Sequence, residues 1–362
     1  MSNPKITILQ MCMLMIMSVG LVNHVTIIPI LLDDADKDSW ISIIFTIPLC
    51  ALWVFIPFFI VKKTKQSNFM DWLKTNRLSW FKPLFITLFA AYLSANIFIT
   101  IREVITWTKI TYLPQTPLFV TRLTLLILCV YAAARGIKAI AIAAGMLLPL
   151  VWILGFFVMS SNFQVKRYSL LFPLFTTGSG PIMQCMADVS ASLMELILVV
   201  VLQHHLKNNL KWWHLPLLVC MISGLTLGPV MGAIAAFGYE ATKLKYPAYE
   251  QWRLVQLGAF VSHVDFLSIY QWISGAFIRI SLSLFLLVDL FRPQSSKVRN
   301  ISYVLAGCAL MILLSLIKLS DSMYTRLIKH FYLAVFGTLL IFSLLLFVLV
   351  FAKSKRKGNA PS

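Results

Sequence analysis

Apolar stretches long enough to cross a bilayer recur ten times along the chain, at roughly 7–31, 41–61, 83–107, 118–134, 139–160, 181–203, 215–238, 266–290, 301–317 and 331–351. Two of them, first and sixth in the series, are interrupted by polar patches that carry glycine. Ser18, Val19, Gly20, Leu21, Val22, Asn23 and His24 interrupt the first, within an apolar run over 6–32. Thr176, Thr177, Gly178, Ser179, Gly180 and Pro181 stand where the sixth begins. In membrane proteins built from two inverted repeats, paired discontinuous helices hold the substrate near the bilayer midplane. The second patch fits equally the loop before the sixth helix, which would put that break nearer Asp188 and Glu195. An unwound stretch at membrane depth persists where it lines a protein-enclosed cavity, and glycine lets the backbone open and approach a ligand.

Composition places this pattern in one class. With 362 residues, 59% hydrophobic, 12% charged and a mean hydropathy of +0.85, the chain reads as an all-α polytopic membrane protein. The first run is long enough to span and lacks a small-residue cleavage site after it, so no cleavable signal is expected. The net charge of +18 would suit nucleic acid, but its distribution describes topology instead. With the amino terminus inside, inner segments hold 18 Lys and Arg and outer loops 10, while Arg102, Arg122 and Arg279 lie within spans. The positive-inside rule then places both termini in the cytoplasm. The basic tail at Lys353, Lys355, Arg356 and Lys357 suits anionic lipid.

The six cysteines are scattered through the spans without a paired spacing and read as small buried hydrophobes. His204 and His205 have no second group of His, Cys or carboxylate near them in the chain, so no metal is expected there. No phosphate loop, nucleophile elbow or pair of catalytic carboxylates is present, and neither catalysis nor a cofactor is expected. The longest polar stretch, 239–265, reads as a loop.

What remains is the set of polar groups inside the spans, which are costly in hydrocarbon and mark function by default. Tyr92, Asn96 and Glu103 share one stripe of the third span; Tyr92 and Asn96 suit either interhelical bonding or ligand contact. Asp188, Ser192 and Glu195 share a face of the sixth. Glu195 is embedded deeply enough to require a partner or a proton, and suits a cap on the broken first helix or a proton relay. Asp265, Ser268, Trp272, Gly275 and Arg279 line the eighth. Asp289 points about 80° from Arg279 around that helix and is a poor partner for it. Glu195, or a carbonyl freed at the helix breaks, is a better one, with a substrate carboxylate as the alternative.

In order along nearly the whole chain, the residues resemble the spore germination permeases, the B subunits of bacterial nutrient germinant receptors. The matching stretches are Lys5 to Gln10, Gly20, Pro29, Asp38 to Ile41, Leu113 to Pro117, Ala134 to Ile137, Leu171 to Pro173 and Gly178 to Ile182, then Glu195 and Asp265. The resemblance implies ten helices of the amino acid-polyamine-organocation type, arranged as two inverted five-helix repeats in a leucine-transporter-like fold with helices 1 and 6 broken. A single permease domain would cover 1–362, with repeats at about 6–160 and 170–318, a last helix at 331–351 and a tail at 352–362. The implied pocket holds Gly20, Leu21, Tyr92, Asn96, Met194, Glu195 and Trp272, with Glu103, Asp188, Ser268, Ser274 and Arg279 as coupling or structural polar groups. The implied partners are a larger A subunit, a C lipoprotein and an amino acid or similar nutrient, in the spore inner membrane. Ile142, Gln184, Cys185, Ser262 and His263 depart from the family's pattern, and Asn23 and His24 are unusual in it. A receptor that signals through partners and a proton- or sodium-coupled amino-acid transporter both suit such a pocket. An ion-conducting subunit would need a continuous polar lining, which the sparse intramembrane charges do not supply.

Overall fold

The computed structural model describes residues 5–256, 263–293, 295–317 and 319–358, the last six as backbone. The tail charges from Lys353 onward, and Ser262, therefore lie outside the described side chains. Among the described residues the secondary structure is helical. The one β-type pairing is a bridge between Ile6 and Leu206, in which the Ile6 N–H donates to the His205 carbonyl and the Lys207 N–H to that of Ile6, each at 2.8 Å.

The chain starts with α1 (Ile8–Leu21). Thr7 and Gln10 cap it reciprocally: Gln10 Oε1 accepts the Thr7 N–H at 2.9 Å and Thr7 Oγ1 accepts the Gln10 N–H at 3.2 Å. A wide π-helical turn, Val22–Thr26, then leads into α2 (Ile27–Ala35). Pro29 accounts for the widening, because it offers no N–H to the Val25 carbonyl and its ring crowds that group. After α2 come α3 (Ser39–Trp53), α4 (Phe55–Lys63), α5 (Phe69–Thr75), α6 (Lys82–Thr111), α7 (Leu118–Arg135) and α8 (Ile137–Ser161). The second half comprises α9 (Ser179–Leu193), α10 (Leu198–Leu202), α11 (His214–Phe237), α12 (Pro247–Arg253), α13 (Leu267–Phe291), α14 (Ser296–Leu316) and α15 (Asp321–Gly358).

Nine helical segments among the described residues are long and apolar enough to cross a membrane, against ten apolar runs in the sequence. The difference lies in Ile8–Lys63, a 56-residue segment that takes in the first two runs. Unbent, it would measure about 84 Å against a hydrocarbon core of about 30 Å. It is broken at Asp36, whose φ of 44° is left-handed. Asp38 then ties this corner to the chain leading into α9. Its carboxylate accepts the N–H groups of Phe175 and Thr177 at 3.0 and 2.8 Å and the hydroxyls of Thr176 and Thr177 at 3.1 and 3.0 Å.

Segments Ser179–His205 and Val264–Phe291 form the buried centre, and α13 packs on α1, α6, α7 and α8. The peripheral helices turn large apolar side chains outward, among them Met146, Leu316 and Ile341 at 75, 73 and 69% exposure. Water would not tolerate such a surface over several helices, whereas lipid covers it at no cost. The protein is a multi-pass membrane protein.

The approach to the sixth span corrects one expectation. Thr176 to Gly178 are not inside a helix: Gly178, at φ 83°, caps α9, which runs unbroken from Ser179. The interruption comes later, where Met194–Ile197 tighten into a 3-10 turn that contains Glu195. The expected loop at 239–265 also carries structure, including α12, which begins on Pro247 as a first-turn proline allows.

Candidate functional site

Beside the wide turn after α1 lies a cavity of about 460 Å³, walled by that turn, α8, α11, α12 and α13. Two glycines let these walls approach. A Cβ on Gly20 would stand 3.0 Å from Leu225 Cδ1, and one on Gly275 would stand 3.1 Å from Leu21 Cδ1. His24 projects from the widened turn and donates its Nδ1–H to the Leu225 carbonyl at 3.2 Å. That carbonyl is available because the residue four positions on is Pro229, which has no N–H to fill it.

One side of the cavity is aromatic. Trp272 packs tilted against Trp107, with ring centroids 4.0 Å apart and planes at 34°, and Tyr246 meets it edge-on at 5.4 Å. The Tyr249 hydroxyl donates to Asp265 Oδ2 at 2.9 Å, and burial together with this network pushes its pKa up. Tyr112 donates to the Asp265 carbonyl at 2.8 Å and lies 3.3 Å from the Ser268 hydroxyl. Lys166 is the cavity's one Lys or Arg. Its pKa is pushed down by burial. All 13 carboxylate side chains lie within the described residues, and none forms an ion pair with Lys166. Trp152 Nε1 and the Tyr246 hydroxyl are likewise buried without a partner among the described residues. The cavity therefore offers one ammonium without a counter-charge within an apolar wall.

Deeper in the bundle, a second group ties the two helix breaks together. Arg279, 2% exposed, grips Glu195 bidentately: Nη1 to Oε1 and Nη2 to Oε2, each at 2.8 Å. The same Nη1 donates to the Ser18 carbonyl at 2.9 Å. Ser18 stands at the last turn of α1, where the Val22 N–H turns to the Val19 carbonyl. Tyr92 and Ser18 complete the group, their hydroxyls donating to Glu195 at 3.2 and 3.4 Å. Arg279, not Glu195, caps the end of α1; the carboxylate holds the arginine in place. A buried guanidinium in hydrocarbon needs this density of acceptors to persist.

The residues singled out in the sequence therefore divide between two places. Gly20, Leu21, Ser268 and Trp272 line the cavity, whereas Tyr92, Glu195 and Arg279 form the buried network. Met194 and Asn96 are buried at 3 and 4% exposure outside the cavity lining. Asp188 and Ser274 are buried on α9 and α13, and Glu103 is half-buried on α6. Arg102 donates to the Leu319 carbonyl at 3.0 Å and covers the Tyr324 ring. Sequence reasoning missed Lys166, Trp152, Tyr246 and Tyr249. All except Trp152 come from polar connections whose local pattern gives no sign of a cavity wall.

The two histidines also acquire company that their neighbourhood in the chain does not show. Asp289, 84 residues beyond His205, brings Oδ2 to 3.2 Å from its Nε2 and 3.4 Å from that of His204.

A model of the family described as spore germination protein matches residues 5–322. Spore germination protein XB of Bacillus anthracis is 38% identical over 351 residues, covering 96% of this chain and 98% of that protein. Spore germination protein KB of Bacillus subtilis is 22% identical over 268 residues, 69% of each chain. Spore germination protein A2 of the same species is 23% identical over 241 residues, 65% of this chain and 66% of its own length.

Proposed function

Because the chain belongs to the spore germination permease family, we propose that it is the membrane B subunit of a nutrient germinant receptor. It binds a small nutrient in the cavity beside the first helix break and passes the event to partner subunits. The observation that carries this reading is the cavity itself: about 460 Å³, apolar, with one ammonium, Lys166, that no Asp or Glu side chain meets. A ligand with a carboxylate and a compact apolar body, as in an aliphatic or aromatic amino acid, answers both features.

In this reading Ile8–Lys63 folds into two passes at the Asp36 corner, giving ten spans in two inverted five-helix repeats. Both termini face the cytoplasm, and the protein works in the spore inner membrane beside a larger A subunit and a C lipoprotein. Binding needs only a difference in nutrient affinity between two arrangements of the cavity walls to shift their populations. The Arg279–Glu195 group supplies the architecture that these arrangements share.

The test is a paired measurement on protein in vesicles, with a panel of radiolabelled L-amino acids followed for binding and for uptake under proton and sodium gradients. Saturable binding without accumulation is expected. Gradient-driven accumulation would replace the receptor with a coupled transporter built on the same pocket.

A further inference from the structure

The end of the bundle where α1 begins holds a cluster that the nutrient cavity does not use. His204 and His205 close the sixth segment on a 3-10 turn, and Asp289 reaches them from the last turns of α13. His204 Nε2, His205 Nε2 and Asp289 Oδ2 lie within 4.8 Å of one another, and the two edges to Oδ2 measure 3.4 and 3.2 Å. A zinc-class ion, bound at about 2.0–2.2 Å to nitrogen and oxygen in a tetrahedron, sets its donors roughly 3.4 Å apart. Both edges are already at that spacing.

Asn68 bears on the proton count at His204. Its Oδ1 accepts the N–H groups of Met70 and Asp71 at 3.0 and 3.4 Å as the cap of α5, which leaves Nδ2 facing His204 Nε2 at 3.2 Å. That contact requires a lone pair on Nε2. A hydrogen bond from the same nitrogen to Asp289 requires a proton there, and one imidazole nitrogen cannot satisfy both. A cation between Nε2 and Oδ2 removes the need for that proton, and it takes the Nε2 lone pair in place of the Asn68 N–H.

We propose that His204, His205 and Asp289 are a three-ligand site for a divalent ion of the zinc class, with an open fourth position. All three line a cavity of about 690 Å³ whose wall also carries Lys74, Lys82, Arg135, Arg292 and Arg299, with Asp71 as the other carboxylate. These charges oppose a bare cation and favour an anion as its fourth ligand. The site's position gives the ion a mechanical role. The His205 carbonyl holds the Ile6 N–H at 2.8 Å, so an ion on His205 and Asp289 clasps the start of α1, the end of the sixth segment and α13 together. Metal binding stabilises that arrangement by mass action.

The experiment uses full-length protein without an affinity tag, stripped with chelator, equilibrated with micromolar Zn²⁺ and washed, with bound metal measured by mass spectrometry and Co²⁺ as the optical probe. One equivalent of metal per chain is expected, with tetrahedral Co²⁺ absorption and a rise in melting temperature on adding Zn²⁺. Asp289→Asn and the double variant His204→Ala/His205→Ala should lose at least ten-fold in affinity while keeping the metal-free protein's melting temperature and monodisperse elution. Failure of the wild type to retain Zn²⁺, or undiminished retention by the double variant, would overturn the site. Nutrient binding is a separate readout, so a failed pocket assignment leaves this result interpretable.

Discussion

Replacing Glu195 with glutamine tests the central network, because it removes one charge and keeps the shape. Arg279 would retain an amide oxygen and the Ser18 carbonyl but lose its counter-charge at 2% exposure. Breaking a buried pair from one side costs about 3–5 kcal/mol, and that range corresponds to roughly two to nearly four orders of magnitude in the folded-to-unfolded ratio. Removing both charges, as Glu195→Leu with Arg279→Met, returns most of this, since apolar replacement of a whole buried pair is often neutral or stabilising by about 1–4 kcal/mol. The return is incomplete because the Tyr92 and Ser18 hydroxyls lose their acceptor, at about 1–3 kcal/mol for each group left unsatisfied. Unfolding in mixed micelles titrated with denaturing detergent, followed by tryptophan fluorescence, measures Glu195→Gln and the four corners of the cycle: wild type, Glu195→Leu, Arg279→Met and the double variant. A Glu195→Gln loss below about 1 kcal/mol, or a double variant whose loss is the sum of the singles, would refute the view that charge pairing holds the sixth-segment turn to α13.

Lys166→Met should abolish saturable binding of carboxylate-bearing nutrients, with Lys166→Arg retaining it; equal binding by Lys166→Met would remove the ammonium from the pocket. Gly20→Ala pushes on the free end of Leu225, so stability should stay within about 1 kcal/mol of wild type while the nutrient dose-response moves to higher concentration; an unchanged curve at equal protein level would dissociate Gly20 from the ligand. Asn23 is fully buried in the widened turn with neither amide atom partnered among the described residues. Asn23→Leu should therefore stabilise the nutrient-free protein by about 1–3 kcal/mol on thermal unfolding, and destabilisation would mean the amide is satisfied.

The bilayer's demand for apolar length made the spans legible in sequence, and its penalty on polar groups made Arg279, Glu195 and Tyr92 stand out before any contact was known. The break after Gly20 was legible for a local reason, since glycine and Pro29 both act on the backbone of their own helix. The sixth-span break was displaced because the Thr176 to Pro181 stretch carries the same residue types for a different purpose: the Thr176 hydroxyl and the Thr177 amide and hydroxyl serve Asp38, 138 and 139 residues away. Lys166 and Asp289 were not legible as site residues at all. Each acquires its role from groups far along the chain, and helical periodicity reports only which face a residue occupies. One long-range contact could have been inferred: Pro229 leaves the Leu225 carbonyl without its helical donor, so some side chain had to supply one, and His24 does.

The cavity and the buried network share a helix stripe. Gly275 meets Leu21 on the cavity wall, and Arg279, four residues along α13 and so one turn away, holds the Ser18 carbonyl and Glu195. A ligand that separates α1 from α13 at Leu21 must therefore either break the Arg279 contact to Ser18 or carry the end of α1 with it. Breaking it would cost one charge-assisted hydrogen bond in a dry interior, about 1.5–3 kcal/mol, which is as large as a typical coupling free energy of about 1–3 kcal/mol. The inexpensive motion keeps Ser18, Glu195 and Arg279 together and flexes the chain beyond them, in the widened turn at Val22–Thr26. That turn carries His24 on the cavity side and continues through Pro29 to the Asp36 corner, so movement there is passed along α2 to the surface while the buried pair stays closed.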